Sequence, residues 1–104
     1  DALYVGGASE ANVLEPDKYP FVKNCIELLR YAAEISKPTF ASCFGFQLAV
    51  LAFGGIILSK DKDYEMGTVK ISLTDKAKSD LVYQEIKDRF PAVSVHRQYA
   101  SKIP

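Results

Sequence analysis

The chain has 104 residues, 13 basic and 13 acidic side chains, and no formal net charge. That length suits one small domain, and a hydrophobic content of 48% excludes a disordered chain. Balanced charge removes the electrostatic reason to expect nucleic acid or an anionic membrane as partner, and no apolar run has the length of a bilayer span or the pattern of a signal peptide.

In chain order, Ala2 to Val5 is a short apolar run ending in Gly6-Gly7, which predicts a strand followed by a loop. Glu10 to Lys18 is polar and carries Pro16, so a loop is expected. Tyr19 to Ile35 is helical: Val22, Ile26, Leu29 and Ala33 make one apolar stripe, with Pro20 suiting the first turn. Pro38 ends that segment. Thr39 to Ser42 is expected as a short buried strand. Phe44 to Phe53 reads as a helix stopped by Gly54-Gly55, where glycine relieves the left-handed cap.

Ile56 to Leu58 is a brief strand and Lys60 to Tyr64 a charged, solvated loop. Thr68 to Leu73 alternates, with Val69, Ile71 and Leu73 on one face, so it is a half-buried strand. Asp80 to Phe90 is predicted as a helix with Leu81, Ile86 and Phe90 apolar, broken by Pro91. Ala92 to Val95 is the last strand, with His96 at its end. Tyr4, Phe40 and Phe53 are expected in the core. Strands alternating with helices imply an α/β fold with a mainly parallel sheet flanked by helices. In such sheets ligands bind at the carboxyl ends of strands, where Gly6-Gly7, Cys43 and His96 are all expected. The chain starts at Asp1 with an immediate strand pattern and stops at Ile103-Pro104 without a closing element, so it reads as a piece of something longer.

Ala41-Ser42-Cys43-Phe44-Gly45 has the form small-x-nucleophile-x-Gly between a strand and a helix, the layout of a nucleophile elbow. The residues two before and two after the nucleophile come close together, and Ala41 and Gly45 are small enough. The turn places the Cys43 thiol at the positive end of the following helix, which favours thiolate. The backbone N–H of Phe44 there suits an oxyanion. The competing reading is a buried structural cysteine. Cys25, beside the apolar stripe of its helix, is expected only to pack. Neither cysteine has metal-ligand spacing, and no metal or cofactor is expected. So few cysteines in a core-rich chain suggest a reducing cytoplasm.

Cys43-Phe44-Gly45-Phe46-Gln47, followed by Leu48-Ala49 and Ala52-x-Gly54-Gly55, resembles the class I (triad-type) glutamine amidotransferases and their G-x-C-x-G-x-Q signature. Asp1 to Gly7 is similar to the family's first strand and glycine loop. Tyr19-Pro20 and the following helix, Glu65-Met66-Gly67, and His96 with Ile103-Pro104 resemble further family segments. The resemblance implies a flavodoxin-like fold, of which residues 1–104 would be the central part, lacking the family's N-terminal βα units. It implies that Cys43 attacks the side-chain amide of glutamine and forms a thioester, that backbone N–H groups of Gly7 and Phe44 hold the oxyanion, and that Gly6, Gln47, Arg97 and Gln98 hold the substrate. A synthase domain or subunit would accept the ammonia. Ala41, Ala8 and Phe46 depart from the family's usual glycine, proline and histidine.

His96 is the single histidine. In the family the base lies in a later His-x-Glu segment, and this sequence contains none. His96 is therefore expected to border the pocket, and the chain alone to hydrolyse glutamine poorly or not at all. Glu65 reads as a loop charge, with a carboxylate partner for Cys43 as the alternative. Two rival functions remain. A DJ-1/PfpI-like cysteine hydrolase or redox sensor would share the elbow but not require Gln47 or the glycine loop. A degenerate, non-catalytic amidotransferase-like domain would lack the base altogether.

Overall fold

The structure, a computed structural model, describes all 104 residues. They form two compact units, residues 1–61 with 98–104, and residues 62–97.

In the first unit, β1 (Leu3–Val5), α1 (Phe21–Glu34) and β2 (Thr39–Ala41) make a strand-helix-strand unit, with β1 and β2 paired in parallel as Leu3 with Thr39, Tyr4 with Phe40 and Val5 with Ala41. Then follow α2 (Phe44–Ala52) and β3 (Ile56–Ser59). β3 pairs antiparallel with the closing strand of the chain, Gln98–Lys102, with a shift in register between Ile56 and Ile57. α1 buries Val22, Leu29 and Ala32, and α2 buries Phe44, Gly45, Gln47, Leu48, Val50 and Ala52. Val13, Val22, Leu29, Phe44, Leu48, Val50, Ala52 and Ile57 form one apolar cluster, the dominant stabilising term for a unit of this size. Cys25 packs against it, as expected.

Both helices end in Schellman caps. The N–H of Lys37 bonds to Ala32 O and that of Ser36 to Ala33 O; after α2, Gly55 N–H bonds to Val50 O and Gly54 N–H to Leu51 O. The left-handed residue is Gly54 (φ 87°) in one and Ser36 (φ 54°) in the other. The α2 C-terminus is further held by Arg30, whose Nε donates to Ala52 O at 2.9 Å.

The second unit is a two-stranded antiparallel ribbon of β4 (Glu65–Ser72) and β5 (Arg89–His96), with a one-turn helix α3 (Asp75–Lys78) in the connection. β6 is the closing strand (Gln98–Lys102) of the first unit. Thr74 caps α3 through its hydroxyl, which accepts from Ala77 N–H. Along the ribbon, Val69 faces Ala92 and Ile71 faces Phe90. These half-buried residues alternate with exposed ones, the period of a ribbon with one drier face.

The α/β, flavodoxin-like class holds, but parallel pairing is confined to β1–β2. Other expectations change. The helix over Asp80 to Phe90 does not form. That stretch is a series of turns, opened by Asp80, whose carboxylate accepts from Val82 N–H at 2.8 Å. Leu81 is 87% exposed, so no apolar face drives a helix there. Pro91 lies inside β5, a strand with one unpaired edge, the setting in which a sheet tolerates proline. β4 begins at Glu65, before the expected Thr68, and β6 has no counterpart in the sequence reading. Tyr4, Phe40 and Phe53 are exposed, and Tyr4 stacks on Phe40 across β1–β2 with ring centroids 5.0 Å apart. In α1 it is Ala32, not Ala33, that is buried.

Candidate active site

The turn between β2 and α2 is built around strained backbone. Cys43 has φ 54° and ψ −117°, a combination that L-residues with a side chain seldom adopt. Its neighbours hold it there. Ser42 N–H bonds to Val5 O at 2.9 Å, and Gly45 N–H bonds to Gly6 O at 3.0 Å and Ser42 O at 2.9 Å. Gln47 N–H then bonds to Cys43 O at 3.1 Å, the first regular helical bond of α2. The turn is thus tied to β1 and its glycine loop at two points.

Gly45 shows why the position two after the cysteine is small. A Cβ there would fall on the Val5 carbonyl oxygen and 2.9 Å from Val5 Cβ. Helix α2 therefore starts in backbone contact with β1. This close approach brings the Gly6-Gly7 loop to the cysteine. A Cβ on Gly7 would lie 3.6 Å from both Cβ and Sγ of Cys43. Without one, the space beside the sulfur stays open to a ligand.

Cys43 is exposed, which removes the reading of a buried structural cysteine. Phe44 opens α2, where N–H groups of the first turn lack intrahelical acceptors. Gln47, one turn after Cys43, is a polar side chain among the buried residues, 7% exposed. Cys43, Gly6, Gly7, Phe44 and Gln47 thus lie together on the β1 and β2 ends and the head of α2. The site could present a nucleophile with backbone donors beside it, as acyl transfer requires. No group of three or more His, Cys, Asp or Glu side chains is placed to hold a metal ion.

The remaining candidates divide between the units. Gln98 starts β6, paired with Ser59. His96 ends β5 in the second unit, on an antiparallel ribbon rather than at the carboxyl end of a parallel strand, which corrects the expected grouping of strand ends. Its Nε2 lies 3.0 Å from Glu65 Oε2, and Ser94 Oγ donates to the same oxygen at 2.9 Å. Glu65 is therefore a strand residue paired with His96 rather than a loop charge. The Arg97 guanidinium lies over the Tyr64 ring, 4.8 Å from its centroid. Tyr64 and Ser94 were not singled out from the sequence, because only the register of β4 on β5 brings them to Arg97 and to the Glu65–His96 pair.

The glutamine amidotransferase class-I family model matches residues 12–104. The chain belongs to that family. Over 67 residues it is 34% identical to "GMP synthase [glutamine-hydrolyzing]" of Borreliella burgdorferi (strain ATCC 35210 / DSM 4680 / CIP 102532 / B31), covering 64% of this chain and 12% of that protein. It is 36% identical over the same length to the like-named protein of Borrelia garinii subsp. bavariensis, again covering 64% and 12%. The chain thus matches only about an eighth of the length of these relatives. A solved glutamine amidotransferase from Thermotoga maritima superposes with a TM-score of 0.82 at 20% identity, over 96% of this chain and 43% of that one, a likeness of fold. No helix is long and apolar enough to cross a membrane.

Proposed function

We propose that the protein carrying this chain hydrolyses glutamine to glutamate and ammonia, with Cys43 as nucleophile, and that residues 1–104 are the central part of its amidotransferase domain. The observation that carries this reading is the strained, exposed Cys43 at the head of α2, with Gly7 open beside its sulfur. The Cys43 sulfur attacks the side-chain amide carbon, and the carbonyl oxygen becomes an oxyanion held by the N–H groups of Gly7 and Phe44. The proton given up by the Cys43 thiol is passed by the base to the amide nitrogen, collapse breaks the C–N bond, ammonia leaves, and a glutamyl thioester remains. Water then releases glutamate and the thiol. Gln47 and Gly6 hold the amino-acid end of the substrate, together with backbone at Gln98; these roles rest on the family resemblance.

The names of the Borreliella and Borrelia relatives describe glutamine-hydrolysing synthases, which supports a synthase domain or subunit as acceptor of the ammonia, in the cytoplasm. These 104 residues hold one histidine and no His-x-Glu sequence. His96 is not the base in this reading; the base comes instead from a His-x-Glu segment outside these residues. The test is glutamate release by the full-length protein and by its Cys43→Ala variant. The proposal requires release that falls at least about a hundredfold in the variant; equal release by both overturns it.

A further inference from the structure

The β4–β5 ribbon has a half-buried face and an exposed one, and Lys70 and Arg89 are both on the exposed face. Register sets Lys70 opposite Pro91 and Ser72 opposite Arg89, so the two cations are diagonal neighbours across the strands, with backbones about 7–8 Å apart. Neither is in an ion pair. The ion pairs of this unit are those of Lys78 with Asp75 and Asp88, and of His96 with Glu65. Asp88, the carboxylate next to Arg89 in the sequence, is thus engaged by Lys78. Neither 66–72 nor 89–95 contains an acidic residue. Two like charges this close on one face disfavour each other, and an anion bound by both relieves that cost.

A cavity of about 320 Å³ takes in both cations; it is lined by Thr68, Val69, Lys70, Arg89, Phe90 and Pro91. Its volume is at the small end of the range for ligand pockets. A guanidinium grips two phosphate oxygens at once, and an ammonium adds a point charge. Val69, Phe90 and Pro91 offer a bare anion nothing, but they can take an apolar group out of water. Together the walls call for a ligand with one strongly anionic end and one apolar end.

We propose that this face of the ribbon binds a small phosphate monoester whose organic part is an apolar ring, with Lys70 and Arg89 on the phosphate and the ring against Phe90 and Pro91. Every residue of the site belongs to the ribbon, and the proposal does not depend on glutamine hydrolysis.

The test is a titration of the full-length protein with phenyl phosphate, followed through the chemical shifts of the ribbon amides. Saturable shifts centred on Lys70 and Arg89 are expected, with Kd below about 1 mM. Inorganic phosphate, which lacks the ring, and phenol, which lacks the charge, each bind at least about fivefold more weakly. Lys70→Met and Arg89→Met keep an unbranched apolar side chain and lose the charge, and each weakens phenyl phosphate binding at least about fivefold. Arg89→Lys, which keeps the charge without the fork, falls between Arg89→Met and wild type. Ribbon shifts that stay absent up to about 10 mM phenyl phosphate overturn the proposal, as does unchanged binding in the double variant Lys70→Met/Arg89→Met. Inorganic phosphate binding as tightly as phenyl phosphate overturns the assignment of the ring, and phenol binding as tightly overturns that of the phosphate.

Discussion

Gly45→Ala separates two physical effects that have opposite signs. Gly45 is the second residue of α2, with ordinary helical backbone. Helix propensity alone makes alanine better there, by up to about 1 kcal/mol. The close approach to β1 makes it worse. The new Cβ would clash with the Val5 carbonyl oxygen, which is backbone and cannot rotate aside. Either α2 or β1 must move, and the bonds Ser42 N–H to Val5 O and Gly45 N–H to Gly6 O lie in the path of that movement. Losing both costs about 2 kcal/mol, and overpacking adds about 1–3 kcal/mol. After the propensity gain is subtracted, the net loss is about 2–4 kcal/mol, a large share of the stability of a domain this size. Urea unfolding followed by circular dichroism measures it as a lower midpoint at unchanged slope. A Gly45→Ala protein as stable as wild type, or more stable, would show that the elbow is not packed against β1 as described.

Two further predictions follow from backbone strain. Cys43→Gly removes both the thiol and the side chain from a position at φ 54° and ψ −117°; strain of this kind costs about 1–3 kcal/mol, partly offset by the flexibility glycine gives the unfolded chain. The variant is expected to be more stable by about 0.5–2 kcal/mol in the same unfolding assay and inert towards glutamine. A less stable variant would mean that the turn is not strained. Ser36→Gly, at φ 54° in the Schellman cap of α1, is expected to stabilise by about 0.5–1 kcal/mol, and a lower unfolding midpoint would contradict the cap geometry.

The parts of this fold legible in the sequence are those set by local rules. The elbow was readable because Ala41, Cys43 and Gly45 meet a steric demand within five residues. The α2 stop was readable because Gly54-Gly55 supplies a left-handed cap, and α1 because Val22, Ile26 and Leu29 mark one face. The failures come from long-range pairing. Leu81, Ile86 and Phe90 imitate a helical stripe, but helix formation needs a surface to bury against, and Phe90 is taken by the ribbon opposite Ile71. Pro91 looked like a terminator because its neighbour across the ribbon, Lys70, is 21 residues away and leaves no local trace. β6 is a mixed-polarity pentapeptide, Gln-Tyr-Ala-Ser-Lys, whose strand character comes only from pairing with β3. The Glu65–His96–Ser94 cluster was hidden for the same reason. Tyr4 and Phe40 are expected in the core for being aromatic, yet Tyr4 alternates with the half-buried Leu3 and Val5 and stacks with its exposed register partner Phe40.

The central claim is that Cys43 is a nucleophile in a pocket that recognises glutamine. The most direct measurement is to treat the full-length protein with an electrophilic glutamine analogue, with and without excess glutamine, and to locate the adduct by peptide mass spectrometry. The account predicts a single adduct on Cys43, suppressed by glutamine, with Cys25 unmodified inside its helix packing. An adduct that glutamine does not suppress, or one shared equally with Cys25, would contradict it.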